Sequence, residues 1–208
     1  MSVLVSDAAK NAALNYIRDN ADQQVMCQGA PADYAEATTD LGVGSGKALG
    51  EVVMVQGDYV LADGDTDGRK VTVGQKAGVT VDVTGTFDHV ALIDTVNLNL
   101  VAVKRLQVNE SGTAQAGAAS AITLRAAASG SDDAYNGQTI EIIEGPGAGE
   151  SRQIIDYNGT TKVATVSSPW GTPPDVTSVY RVYGQAVTNG QLMTILAHAI
   201  TLRDAIAA

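Results

Sequence analysis

Apolar and polar positions along this chain change rhythm several times, and each rhythm predicts a different kind of element. From Ser6 to about Ala21, the residues Ala9, Ala13, Ile17 and Ala21 recur at steps of four. That period predicts a helix, with Ser6 placed to cap its first turn and Asp7 suited to the positive end of its dipole. From Gly42 the runs become short, rich in Val and Thr, and bounded by Gly and Asp. They predict strands near Glu51–Gln56, Tyr59–Ala62, Lys70–Val73, Val79–Val83, His89–Asp94 and Leu98–Leu106. Val79, Val81 and Val83 alternate with Thr80, Asp82 and Thr84, the period of an antiparallel strand with one wet face.

Asn109–Ser120 (NESGTAQAGAAS) is small, polar and aperiodic, which predicts a linker. A second set of strands follows near Ile122–Ala126, Thr139–Glu144, Ser151–Tyr157, Lys162–Ser167 and Val179–Tyr183. Asn158-Gly159, lying between two of them, is the dipeptide of a type I′ hairpin, whose two central positions need positive φ. Strands this short and evenly spaced predict a small barrel or sandwich. From Gln191 to Ala208 a helical period returns. Leu192, Ile195, Ala199, Leu202 and Ile206 step by 3, 4, 3 and 4, with Asn189 available as a cap. Met193, Leu196 and Ile200 widen this face, so it is a candidate contact with a neighbouring subunit; packing on the chain's own sheet is the alternative. The expected fold is therefore mainly β: two small antiparallel β units with an N-terminal and a C-terminal helix. The expected division is residues 1–110, 111–185 and 186–208.

Composition narrows the function. The 208 residues carry 13 Lys+Arg against 23 Asp+Glu, a net charge of −10, and no basic run, which argues against nucleic acid as a partner. Cys27 is the single cysteine, so neither an internal disulfide nor a thiolate cluster for zinc is expected. The first residues lack the basic and apolar regions of a secretory signal, and no apolar run approaches the roughly 20 residues that span a bilayer. A protein made in a cytoplasm, with no membrane partner, is the expectation.

Candidate chemistry is sparse. Asp63-Gly64-Asp65-Thr66-Asp67-Gly68 opens like a calcium loop, with carboxylates at alternate positions, but Gly74 stands where a bidentate Glu is required. Asp63, Asp65 and Asp67 are weak metal candidates, and an acidic hairpin turn is the expected reading. Gly42-Val43-Gly44-Ser45-Gly46-Lys47 lacks the first Gly and the Ser/Thr of a phosphate loop. Gly145–Gly149 precedes a strand and not the helix of a dinucleotide fold. His89 and His198 are the two histidines, and no G-x-S-x-G elbow accompanies them. Glu141 and Glu144 fall on opposite faces of one predicted strand, which separates them for paired-carboxylate chemistry. No enzyme and no cofactor is expected.

Two stretches carry a resemblance. Asp67–Val73, Gly85-Thr-Phe-Asp-His-Val-Ala-Leu-Ile-Asp94 and Leu100–Val103 resemble small structural proteins encoded in the head gene clusters of tailed bacteriophages. Tyr135–Ile140, Gly147–Ile155, Tyr157–Val166 and Pro169-Trp170 resemble a β-module found in many phage virion proteins, including tail and fibre proteins. Together these stretches cover roughly half of the chain. The resemblance implies a non-enzymatic virion protein, assembled in the bacterial host cytoplasm and without a catalytic residue. Its implied partners are the major capsid protein or other virion subunits, with homo-oligomers expected. Since packaged DNA repels an acidic surface, the expected place is outside the shell, as a capsid decoration (cement) protein. A neck, tail or fibre-associated protein is the alternative.

Overall fold

Strands dominate the computed structural model, which describes residues 5–203. In chain order the elements begin with α1 (Asp7–Asn20), β1 (Gln23–Cys27), α2 (Tyr34–Thr38), β2 (Ala48–Val53), β3 (Tyr59–Asp63), β4 (Arg69–Val73) and β5 (Lys76–Thr80). Next come β6 (Gly85–Phe87), β7 (His89–Asp94), β8 (Asn99–Arg105), β9 (Val108–Thr113), β10 (Ala116–Ala118) and β11 (Ala121–Thr123). The last are β12 (Thr139–Glu144), β13 (Ser151–Asn158), β14 (Val163–Val166), β15 (Val179–Tyr183), β16 (Gln185–Val187), β17 (Leu192–Ile195) and β18 (His198–Leu202). They form two compact units. The first draws on residues 5–83, 90–104 and 188–203, the second on residues 84–89 and 105–187.

In the first unit a four-stranded sheet, β2-β1-β7-β8, is covered on both faces. Val25, Cys27, Ala37, Ala48, Ala91 and Ile93 pack together on the side of α2. On the other side Leu14 of α1 and Leu92 of β7 meet Tyr59, Val71 and Val73 from a three-stranded sheet, β18-β4-β3. Burial on both faces is why β7 reads as an unbroken apolar run, Val90-Ala-Leu-Ile93, rather than as an alternation. Ser6 caps α1 by accepting the Ala9 N–H. The buried stripe of that helix runs through Lys10 and Leu14, while Ala9 and Ala13 are exposed.

The predicted C-terminal helix is instead two strands. Strand β17 pairs with β5 (Leu192↔Thr80, Ile195↔Lys76), and β18 pairs with β4 (Ala199↔Thr72, Leu202↔Arg69). Met193 and Ile195 are buried while Leu192 and Thr194 are exposed, a period of two. The apolar run from Leu192 to Leu202 satisfies both a helical and an alternating pattern. Free strand edges on β4 and β5, together with the β-branched Thr194, Ile195, Ile200 and Thr201, decide for strands. Ile206 lies outside the described residues.

The second unit is a ring. Its strand order is β10-β11-β14-β13-β12-β15-β9. Strands β9 and β10 are one bent strand that belongs to both ends of that order. It pairs with β15 up to Thr113 and with β11 from Ala116. The handover takes two residues: Ala114 N–H donates to the Ser178 carbonyl at 2.9 Å and Gln115 N–H to the Thr123 carbonyl at 2.9 Å. The predicted linker Asn109–Ser120 is thus the segment that closes a barrel. Register shifts at Ile142/Glu144, Ile154/Asp156 and Val182/Tyr183 supply the bends that closure requires. Gly117 packs closely on Pro174: a Cβ at Gly117 would lie 2.0 Å from the Pro174 carbonyl oxygen. Ile122, Leu124, Ile140, Ile142, Ile154, Tyr157 and Trp170 fill the interior. Among them sits one carboxylate, Glu110, which accepts from Arg125 at 2.5 and 3.1 Å, from the Tyr180 hydroxyl at 3.2 Å and from the Tyr135 hydroxyl at 3.5 Å. Burial raises both tyrosine hydroxyls above their ordinary pKa, keeping them protonated as donors.

The hairpin at Asn158-Gly159 differs from the predicted type I′ turn. Asn158 pairs with Val163 across a four-residue loop. The Asn158 side-chain oxygen accepts the N–H groups of Thr160 (3.0 Å) and Thr161 (2.8 Å), and the positive φ falls on Lys162 rather than on Gly159.

Candidate functional site

The four described residues of the predicted contact stripe do not share one face. Leu192 is 67% exposed and Ile195 only 1%. Ala199 and Leu202 are half-buried, and Leu202 leans on the core of the first unit. Pairing creates a different surface from the same segment. Ala199, Thr72 and Val60 form one row across β18, β4 and β3, with Thr201, Lys70 and Ala62 in the next outward row. Their inward neighbours Ile200, Val71 and Leu61 pack on the core. The two outward rows carry one charged residue, Lys70, in a chain of net charge −10. Val60 at 61%, Leu192 at 67% and Leu196 at 70% exposure are the large apolar residues this segment and its neighbours present. Sequence reasoning missed Val60 and Thr72 as members of the surface. Alternation within Tyr59–Asp63 put Val60 outward, but only the strand register brings it beside Ala199.

The acidic turn between β3 and β4 is organised by its own cations. Asp63 pairs with Arg69, and Asp65 with Lys70. Gly64 N–H donates to the Gly68 carbonyl at 2.9 Å. Gly68 has φ +70°, and a Cβ on it would lie 2.0 Å from the Leu202 carbonyl oxygen, so this position requires glycine. Asp67 Oδ1 has no hydrogen-bond partner among the described residues. No group of three or more His, Cys, Asp or Glu arranged to hold a metal occurs among the described residues.

A pocket of about 430 Å³ opens in the first unit, with Val25, Ala37 and Ala48 in its wall and Asp40, Glu51 and Asp82 around it. Other carboxylates of that unit have cations, such as Glu36 with Lys47 at 3.5 Å and Asp58 with Lys76 at 2.6 Å. The Glu51 carboxyl is raised above its ordinary pKa by partial burial first, then by Asp82 and Asp40. Much of the Glu51 surface stays open to water, which screens this effect. Such a pocket favours a cation over an anion.

The remaining titratable candidates are held in structural bonds. His89 Nδ1 lies 2.8 Å from Asp88 Oδ1, and the other Asp88 oxygen accepts the Thr139 hydroxyl at 2.8 Å. His198 Nδ1 faces the Leu196 carbonyl oxygen at 3.3 Å. Glu141 is clamped by Arg181 at 2.8 and 2.9 Å and by the Tyr183 hydroxyl at 3.1 Å. Lys47, from the glycine-rich Gly42–Lys47 loop, is the ion-pair partner of Glu36. Cys27 is buried in the first unit.

No protein-family model, curated protein or solved structure matches this chain.

Proposed function

We propose that this chain is a non-enzymatic structural protein of a tailed-phage virion, a decoration protein that binds the outer surface of the assembled head. The observation that carries the reading is where the module-like residues fall in the fold. In the stretch resembling the phage β-module, Tyr135, Ile140, Ile154, Tyr157, Ala164, Val166 and Trp170 are all members of one barrel core. A likeness concentrated in the residues that build the barrel supports a shared scaffold rather than a chance run of similar wording. The first resembling stretch contributes β4, whose outward residues Lys70 and Thr72 belong to the outward rows in which Lys70 is the one charged residue. That face, with the exposed Val60 as its apolar contact, is the surface offered to capsid subunits.

The mechanism is mass action. A protein that binds the assembled lattice and not its dissociated subunits stabilises the lattice in proportion to RT ln(1 + [L]/Kd) at each site. Contact with more than one capsid subunit at a time adds avidity. The net charge of −10 suits the outside of a shell whose contents are polyanionic.

The test is binding of the purified protein to heads that lack it, read by co-sedimentation and by copy number on the native particle. A copy number comparable to that of the capsid subunit is the expected result. One too low to tile the shell transfers the protein to the neck or tail, and absence from the particle removes the virion reading altogether.

A further inference from the structure

The chain contains three Asn-Gly dipeptides, Asn136-Gly137, Asn158-Gly159 and Asn189-Gly190. This pair is the most reactive setting for asparagine, because glycine offers no side chain to hinder attack by its own backbone nitrogen. In that reaction the glycine nitrogen loses its proton and bonds to the asparagine side-chain carbonyl carbon. The bond from that carbon to Nδ2 breaks, and ammonia leaves carrying the proton. The resulting succinimide takes up water at one of its two carbonyls, giving aspartate or isoaspartate. The attack requires rotating the peptide plane between the two residues until its nitrogen faces the side chain. Since that plane is rigid, its N–H must turn with it.

In all three places the N–H is already committed. Gly137 N–H donates to the Ile154 carbonyl at 2.8 Å, and Gly190 N–H to the Val81 carbonyl at 2.8 Å. Gly159 N–H donates to the Asp132 carboxylate at 2.8 Å. The asparagine side chains are tethered as well. Asn136 Nδ2 donates to Asp133 at 2.7 Å, and Asn189 Nδ2 to the Asp82 carbonyl. The Asn158 oxygen holds the Thr160 and Thr161 N–H groups. Rotation at any of the three sites breaks these bonds together.

We propose that Asn136, Asn158 and Asn189 are latent deamidation sites that the fold keeps shut, so that isoaspartate in this chain marks molecules that have been open or unfolded. Two of the locks are bonds between backbone groups. The lock at Asn158 hangs on a single exposed side chain, Asp132, and is the one a point change opens.

The experiment is peptide mass spectrometry of the full chain after incubation in mildly alkaline buffer, with and without denaturant. Each site in the folded protein is expected to react about tenfold more slowly, or slower still, than the same site in denaturant, the protection that a closed local structure confers. Asp132→Ala is expected to speed reaction at Asn158 and leave Asn136 and Asn189 protected. Asp132→Asn keeps an acceptor oxygen and should retain most of the protection. Should Asp132→Ala unfold the barrel, Asn136 reacts too and Trp170 fluorescence changes; the wild-type comparison then decides. Folded-state rates within about twofold of the denatured rates at these sites overturn the proposal. An unchanged Asn158 rate in a folded Asp132→Ala variant overturns the assigned lock.

Discussion

The barrel closes on itself within one stretch of chain, residues 108–183, whereas the first unit is collected from three stretches and ends its sheets in β2, β8, β3, β18, β5 and β17. The two also treat buried polar groups differently. The barrel's interior carboxylate, Glu110, has two tyrosine hydroxyls and a forked Arg125 around it. In the first unit Gln24 is fully buried, and neither its oxygen nor its nitrogen has a partner among the described residues. A closed ring fixes every strand against two neighbours, so a polar group at its centre meets donors whose positions are set. Small sheets stacked face to face define the apolar contacts well but leave a stray amide to chance.

The comparison can be broken most forcefully from inside the ring. Ile154 is fully buried in the barrel core, and a ring whose strands are tied on both sides cannot collapse around a hole. Ile154→Ala should therefore lose about 2–5 kcal/mol in denaturant unfolding followed by Trp170 fluorescence. Trp170 is the one tryptophan and lies in that core, so the signal reports the barrel. A loss well under about 1 kcal/mol would mean that the ring relaxes as easily as an open sheet.

The first unit should respond in the opposite direction. Gln24→Leu removes an amide that burial has stripped of hydrogen bonds, and is expected to raise stability by about 1–2 kcal/mol, read from hydrogen exchange of the β1 and β7 amides. Lower protection in the variant would show that the amide does make a stabilising bond.

The smallest effect is on the acid side of the barrel. Glu150 accepts the N–H groups of Gly171 at 2.7 Å and Thr172 at 2.8 Å, and these bonds first, then Arg152, hold its carboxyl below its ordinary pKa. A depressed folded-state value means the contribution is complete above the ordinary Glu range and disappears as pH falls through the folded value. Glu150→Gln should lower stability near neutral pH, leave it nearly unchanged below the folded value, and so flatten the acid limb of the barrel's stability curve. Equal acid slopes in the two proteins would remove Glu150 as the titrating group.

How far these units were readable from residues alone depends on which faces they bury. Strands β7, β12 and β15 begin and end where the apolar runs His89–Asp94, Thr139–Glu144 and Val179–Tyr183 predict, because buried side chains give them contrast with the polar turns. Strands β9 and β10 offered none. Of their residues Glu110 alone is buried, and a carboxylate is the last residue type that pattern reading assigns to a core. At the C-terminal end the fault was the reverse: an apolar run fits two periods, and the choice rests on strand edges far away in sequence. The Asn158-Gly159 turn was located correctly by its composition, but its form was set by where the Asn158 oxygen points. The candidate surface was legible only in part. Ala199 stood in the apolar stripe, while its row companions Val60 and Thr72 are separated from it by more than a hundred residues of chain and joined through register.

The interleaving of the two units bears on how the chain is made. Domains ordinarily fold from the N-terminal end as they leave the ribosome. Here the earlier strands must wait, because β4 and β5 gain their partners β18 and β17 only when residues 192–202 have been synthesised. The barrel, complete by residue 183, is ready before them. Newly made β4 and β5 therefore spend the whole synthesis of the barrel with an open edge, the interval in which a chaperone or a neighbouring nascent chain has access to them.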